Sequence, residues 1–114
     1  MTLLLVDDEA SLLQLLGQHL TRRGHTVESA ATVAAAKALM TASFDAAIVD
    51  WTLPDGSGLD LGRTLLNHDS RIRVIFTSGY PLDIDLVPSE LRPRVRVLQK
   101  PFLPRELADI LSSL

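Results

Sequence analysis

Short apolar runs separated by longer stretches of helical spacing organise this chain. Five runs, Leu3 to Val6, Thr26 to Ser29, Ala46 to Val49, Val74 to Phe76 and Val95 to Leu98, are mostly uninterrupted rather than alternating. That is the pattern of strands covered on both faces. After the first run, Leu12, Leu13, Leu16 and Leu20 recur at helical spacing and stop at Gly24, a residue that tolerates the left-handed backbone common just past a helix end. Thr32 suits the N-cap of a second helix, because its hydroxyl can accept an unpaired backbone N–H, and Val33, Ala36, Leu39 and Met40 mark one face. A third helix is predicted from Gly58 to Asn67 with Leu61, Leu65 and Leu66 inward. The last helix carries Leu103, Leu107, Ile110, Leu111 and Leu114 on one stripe, with Pro104 near its start, where a missing N–H costs nothing. Between the fourth and fifth strands, "YPLDIDLVPSELRPR" holds Pro81, Pro88 and Pro93. An interior proline removes a hydrogen bond and clashes with the preceding turn, so any fourth helix is expected to be short.

Strand alternating with helix specifies an α/β fold, a parallel sheet with helices on both faces, since each parallel strand needs a crossover. In such a sheet the site lies beyond the carboxyl ends of the strands, near the point where strand order reverses. Those ends carry Asp7 and Asp8 after "LLLV", Asp50 after "AAIV", Thr77 and Ser78 after "VIF", and Lys100 after "VRVLQ".

Composition narrows the setting. A length of 114 residues, 46% of them hydrophobic, suits one compact domain. The net charge of -3 leaves no basic excess to attract nucleic acid or an anionic membrane. There is no cysteine, so no disulfide framework and no thiolate chemistry, in keeping with a cytoplasmic protein. "MTLLLVDDEA" lacks a basic leader and a cleavage site and reads as a strand. No apolar run approaches the roughly 20 residues that span a bilayer.

Taken singly, each residue at the strand ends has an ordinary explanation. Asp7 or Asp8 would cap the first helix, Thr77 or Ser78 would sit in a turn, and Lys100 would be a solvated lysine. Together they raise a different question, because three carboxylates at one sheet edge repel one another and resist ionisation unless a cation sits among them. All-oxygen ligands without Cys or spaced His favour a hard cation, Mg²⁺ being the usual companion of phosphoryl groups. His19, His25 and His68 are scattered at no ligand spacing and read as surface residues.

The ordered set "VDDE", "IVDWTLPDGSG", "FTSG" and "QKPF" resembles the receiver domain of two-component response regulators, over essentially the whole chain. The resemblance implies a flavodoxin-like (βα)5 doubly wound sandwich with a five-stranded parallel sheet in the order 2-1-3-4-5. It implies that Asp50 is the phosphoacceptor, taking a phosphoryl group from a sensor histidine kinase or a histidine phosphotransfer protein. Asp7, Asp8, Asp50 and the Thr52 backbone carbonyl would hold Mg²⁺, or Mn²⁺ in its place, with Asp8 binding directly and Asp7 through water. Lys100 and Thr77 would contact the phosphoryl group with the backbones of Trp51 and Ser78. The Lys100-Pro101 bond would be cis. Phosphorylation would switch the Thr77 loop and the surface formed by the fourth helix, fifth strand and last helix.

Such a chain is a signalling phosphoacceptor that promotes its own phosphorylation and dephosphorylation, not an enzyme. It would be a monomer or a phosphorylation-dependent dimer, without nucleic-acid or membrane contact. The last helix barely completes its apolar face before Leu114, so residues 1–114 are expected to form a single receiver domain with no output domain, standing alone or cut from a longer protein. Two alternatives are a receiver-like interaction module that is never phosphorylated and an Asp-nucleophile phosphatase. The intact acidic pair, Asp50, Thr77 and Lys100 speak against the first. Thr52, where such phosphatases carry a second acid, speaks against the other. The chain departs from the receiver pattern at Val97, three residues before the lysine, where an aromatic ring is common. A β-branched valine has few rotamers and no ring to turn, which shifts the expected switching to the segment after Ser78, with Tyr80 as its aromatic participant.

Overall fold

The computed structural model describes residues 1–114. Five strands, β1 (Thr2–Val6), β2 (Thr26–Ala30), β3 (Ala46–Asp50), β4 (Arg73–Ser78) and β5 (Val95–Gln99), form one parallel sheet in the order β2-β1-β3-β4-β5. The helices are α1 (Ala10–Arg22), α2 (Val33–Ala38), α3 (Gly58–His68) and α4 (Pro104–Ser112). This is the expected doubly wound sandwich in the expected order.

The uninterrupted apolar runs divide by alternation between two cores. Leu3, Leu5, Ala46, Ile48 and Ile75 face α1 and α4, where they meet Leu16, Leu20, Leu107 and Leu111. Leu4, Val6, Ala47, Val49, Val74 and Phe76 face the other way, onto Ala36, Leu61, Leu65 and Leu66. Full burial of each Leu, Ile, Val or Phe among them contributes about 1.5–3 kcal/mol, and the central strands β1, β3 and β4 draw on both layers. The edge strands do not: most of β2 and β5 remains exposed or partly so.

Local chemistry sets the helix ends. Gly24 has φ +93°, and its N–H closes α1 onto the Thr21 carbonyl at 3.0 Å. The Thr32 hydroxyl accepts from Ala35 N–H at 3.0 Å, capping α2 as expected. α2 stops at Ala38, so Leu39 and Met40 pack against the core from beyond its end.

The fourth crossover differs from expectation in having no α-helix. Two 3₁₀ turns, Ile84–Leu86 and Arg92–Arg94, replace it. Pro88 and Pro93 leave no uninterrupted stretch of N–H donors for an α-helical ladder. Buried Val87 and Leu91 anchor the segment, and the Arg92 Nε–H donates to the Val87 carbonyl at 2.9 Å. No helix is long and apolar enough to cross a membrane.

Candidate functional site

Parallel register brings the strand ends together. Val6 lies opposite Val49, Asp50 opposite Thr77, and Ser78 opposite Gln99. The residues that end or follow those strands, Asp7, Asp8, Asp50, Thr77 and Lys100, therefore share one edge of the sheet. Asp50 and Thr77 belong to the strands themselves, as does Ser78, rather than to the loops beyond.

Lys100 joins the group. Its ammonium donates to Asp7 Oδ2 at 2.7 Å and to Asp50 Oδ2 at 3.3 Å. Asp7 and Asp50 are buried while Asp8 is exposed, and a carboxylate oxygen from each of the three lies within 4.8 Å of the others. Neither aspartate caps α1. Its N-cap is Glu9, which makes no side-chain cap, and Asp7 Oδ1 instead accepts the Glu9 N–H at 2.9 Å. That bond and Lys100 together hold the Asp7 carboxylate toward Asp50.

The electrostatics follow from this crowding. Burial, then the charge of Asp7, pushes the Asp50 carboxyl above the usual carboxylate range, against the opposing pull of Lys100 and the Thr52 N–H. Desolvation disfavours the charged form of Lys100, but its hydrogen bond to Asp7 and the charges of both aspartates outweigh that and keep its pKa above the ordinary lysine value. One ammonium thus stands against three carboxylates. An oxygen-only donor set with this excess of negative charge fits a hard divalent cation.

The loop after Asp50 folds tightly. Thr52–Leu53 pairs antiparallel with Gly56–Ser57, a hairpin that sequence reasoning missed although "PDG" is a turn composition. The loop then returns so close to β3 that a Cβ on Gly58 would lie 1.9 Å from the Asp50 carbonyl oxygen. Gly58 N–H donates to the Trp51 carbonyl at 2.8 Å. One expected donor is displaced by this geometry: the Trp51 N–H is bonded to the Thr77 carbonyl at 2.8 Å, continuing the sheet. The backbone donor facing the acceptor carboxylate is that of Thr52, 3.4 Å from Asp50 Oδ1.

The Lys100-Pro101 bond is cis. Ser78 is buried, and its hydroxyl accepts the Tyr80 N–H at 3.1 Å. His19, His25 and His68 take no part in the site: His19 Nε2 contacts Arg23, His25 lies beside the chain's amino terminus and His68 is exposed.

Known proteins resemble this chain in sequence and fold. The sequence profile of the response regulator receiver domain matches residues 3–112. The transcriptional regulatory protein CssR of Bacillus subtilis is 37% identical over 106 residues, 93% of this chain and 47% of that protein. The photosynthetic apparatus regulatory protein RegA of Rhodovulum sulfidophilum is 40% identical over 80 residues, 69% of this chain and 44% of that protein. The chain thus spans about half the length of the curated relatives it matches. Among solved structures, a CheY-like receiver domain protein from Methanospirillum hungatei superposes with a TM-score of 0.88 at 28% identity, covering 98% of this chain and 90% of that one. Chemotaxis response regulator CheY4 of Vibrio cholerae shares the fold at a TM-score of 0.86 and 24% identity, covering 98% and 96%. With the profile spanning almost all of its length and the strand-end constellation intact, this chain belongs to the response regulator receiver domain family.

Proposed function

We propose that this domain accepts a phosphoryl group on the Asp50 carboxylate from a phosphohistidine of a sensor kinase or phosphotransfer protein. The observation that carries the reading is the Lys100 ammonium held between Asp7 and Asp50, with Asp8 beside them. Asp7, Asp8, Asp50 and the Thr52 carbonyl would hold Mg²⁺, for which Mn²⁺ can substitute. When bound, the ion supplies positive charge that offsets the carboxylates and the incoming phosphoryl oxygens.

The chain's own residues do the rest. An Asp50 oxygen attacks phosphorus, the P–N bond to the donor histidine breaks, and the imidazole leaves with the electron pair and takes a proton from solvent. Lys100 gives up its longer contact, to Asp50, for a phosphoryl oxygen while keeping Asp7. The Thr52 and Ser78 N–H groups and the Thr77 hydroxyl provide further donors. Phosphoryl transfer asks mainly for positioning and charge stabilisation, which a prearranged strand-end cluster supplies. A surface depression of about 470 Å³ lined by Glu9, Leu12, Gly79, Lys100, Pro101 and Phe102 opens beside the lysine, on the side from which we propose the donor approaches. Asp8→Ala is expected to weaken Mg²⁺ binding on the order of tenfold or more. Calorimetry giving equal affinities would remove Asp8 from the metal set.

The Thr77 hydroxyl has a phosphoryl partner only in the loaded state, which biases the segment after β4. A cavity of about 250 Å³ lies between Tyr80, Leu82 and Val97, and both Tyr80 and Val97 are exposed. Closure of this segment, with Tyr80 moving toward the cavity, is the expected readout. Beryllofluoride with Mg²⁺ should therefore raise hydrogen-exchange protection from Gly79 to Val87. Changes confined to β5 and α4 would assign the switch to Val97 instead, and no beryllofluoride binding at all would sink the phosphoacceptor reading.

A further inference from the structure

Asp55, at the tip of the hairpin after the acceptor, has no part in the chemistry above. Its carboxylate nonetheless reaches across to α2, where Oδ1 accepts the Val33 N–H at 2.7 Å and Oδ2 the Ala34 N–H at 3.0 Å. With Thr32 accepting from Ala35, the first three N–H groups of α2 are all capped, two of them by a distant segment. Those two hydrogen bonds hold the Asp55 carboxyl below the usual carboxylate range. The two segments also approach closely, since a Cβ added at Gly56 would lie 3.3 Å from Val33 Cγ2.

Both sides of this clamp are weak alone. α2 has six residues with only Ala36 buried, far below the length at which an isolated helix is stable. In the hairpin, Thr52, Pro54, Asp55, Gly56 and Ser57 are exposed, and Leu53 alone is buried. Few apolar contacts therefore fix the hairpin, and the Asp55 bonds do much of that work. The hairpin register, Thr52 opposite Ser57 and Leu53 opposite Gly56, transmits the position of the tip to Thr52.

We propose that Asp55 is a positioning residue for the phosphoacceptor site: by clamping the hairpin to the first turn of α2 it sets the Thr52 backbone relative to Asp50, and it couples the order of α2 to occupancy of the site. This rests on the reading of the site given above. Coupling is reciprocal, so filling the site tightens the start of α2 to the same degree that an anchored α2 favours filling.

Trp51, the sole tryptophan and adjacent to Asp50, makes its fluorescence a probe of Mg²⁺ at the site of the full 114-residue chain. Asp55→Ala is expected to weaken Mg²⁺ binding roughly tenfold, the lower range for groups that orient ligands without touching the metal. Asp55→Asn, which keeps one acceptor oxygen and guards against a misfolded alanine variant, should fall between. Thr32→Ala loosens α2 while leaving both Asp55 hydrogen bonds in place, and should weaken binding by much less than Asp55→Ala does. In parallel, Mg²⁺ should slow exchange of the Val33 and Ala34 amides in the wild type and not in Asp55→Ala. Wild-type affinity in both Asp55 variants would overturn the proposal, as would equal weakening in Thr32→Ala, which would make Asp55 a helix cap and nothing more. A wild-type chain whose tryptophan and calorimetric signals ignore Mg²⁺ would instead overturn the metal site itself, and the positioning role with it.

Discussion

Asp50→Asn is expected to form no acyl phosphate from acetyl phosphate while keeping the fold. The amide has the shape of the carboxylate and lacks its nucleophilic charge, and no other carboxylate stands where Asp50 does. Asp7 is tied to Lys100 and to the Glu9 N–H, and Asp8 is exposed at the rim. The fold should tolerate the change well, because burial and the charge of Asp7 already disfavour the ionised form of Asp50. A carboxyl whose pKa is raised on folding adds stability below its unfolded-state value and loses it as pH rises through the folded one. Relative to Asp50→Asn, the metal-free wild type should therefore lose stability as pH climbs from about the ordinary carboxylate value of 3.8 through that raised value. Intact mass after treatment with acetyl phosphate and Mg²⁺, together with melting curves across pH, checks both halves. Phosphorylation at an unchanged rate would refute the assignment of Asp50.

Gly58→Ala should be the most damaging small substitution in the chain. Its new methyl would lie 1.9 Å from the Asp50 carbonyl oxygen and 2.8 Å from the Asp50 carbonyl carbon and the Trp51 Cα. These are backbone atoms and cannot swing aside as a side chain does. Overpacking a core commonly costs about 1–3 kcal/mol, and the rigidity of this contact places the cost at about 3 kcal/mol or more. For a domain of this size the melting temperature should fall by roughly 10 °C or more. Relief would push the loop away from β3, breaking the Gly58 to Trp51 hydrogen bond and moving the acceptor with it. Gly17→Ala provides the contrast. Nothing lies within 4 Å of the added methyl there, and in the interior of α1 the exchange should stabilise by about 0.5–1 kcal/mol. Equal melting of the two variants would show that the loop does not approach β3 as described.

Much of this architecture is written in short-range pattern. "LLLV" and "AAIV" announce strands buried on both faces, and their alternate residues do enter two different cores. Gly24 and Thr32 mark helix ends because each acts on backbone within a few residues of itself. The gathering of Asp7, Asp8, Asp50, Thr77 and Lys100 was also legible, since parallel topology sends every strand's carboxyl end to the same edge. The three prolines after Tyr80 foretold a weak fourth helix, though not that α-helical structure would vanish there altogether.

What the sequence left open depends on which groups meet across long separations. Lys100 bonds to Asp7 more closely than to Asp50. The Trp51 N–H is consumed by the Thr77 carbonyl, which leaves Thr52 as the donor facing the acceptor. Asp55, which no sequence pattern singled out, anchors a helix 22 positions earlier in the chain. None of these pairings has a periodicity or a local motif to reveal it. The residue types and their strand-end positions follow from nearest-neighbour preferences and the burial of alternate side chains. Hydrogen-bond partners instead follow from strand register and loop closure, which exist only once the sheet has assembled.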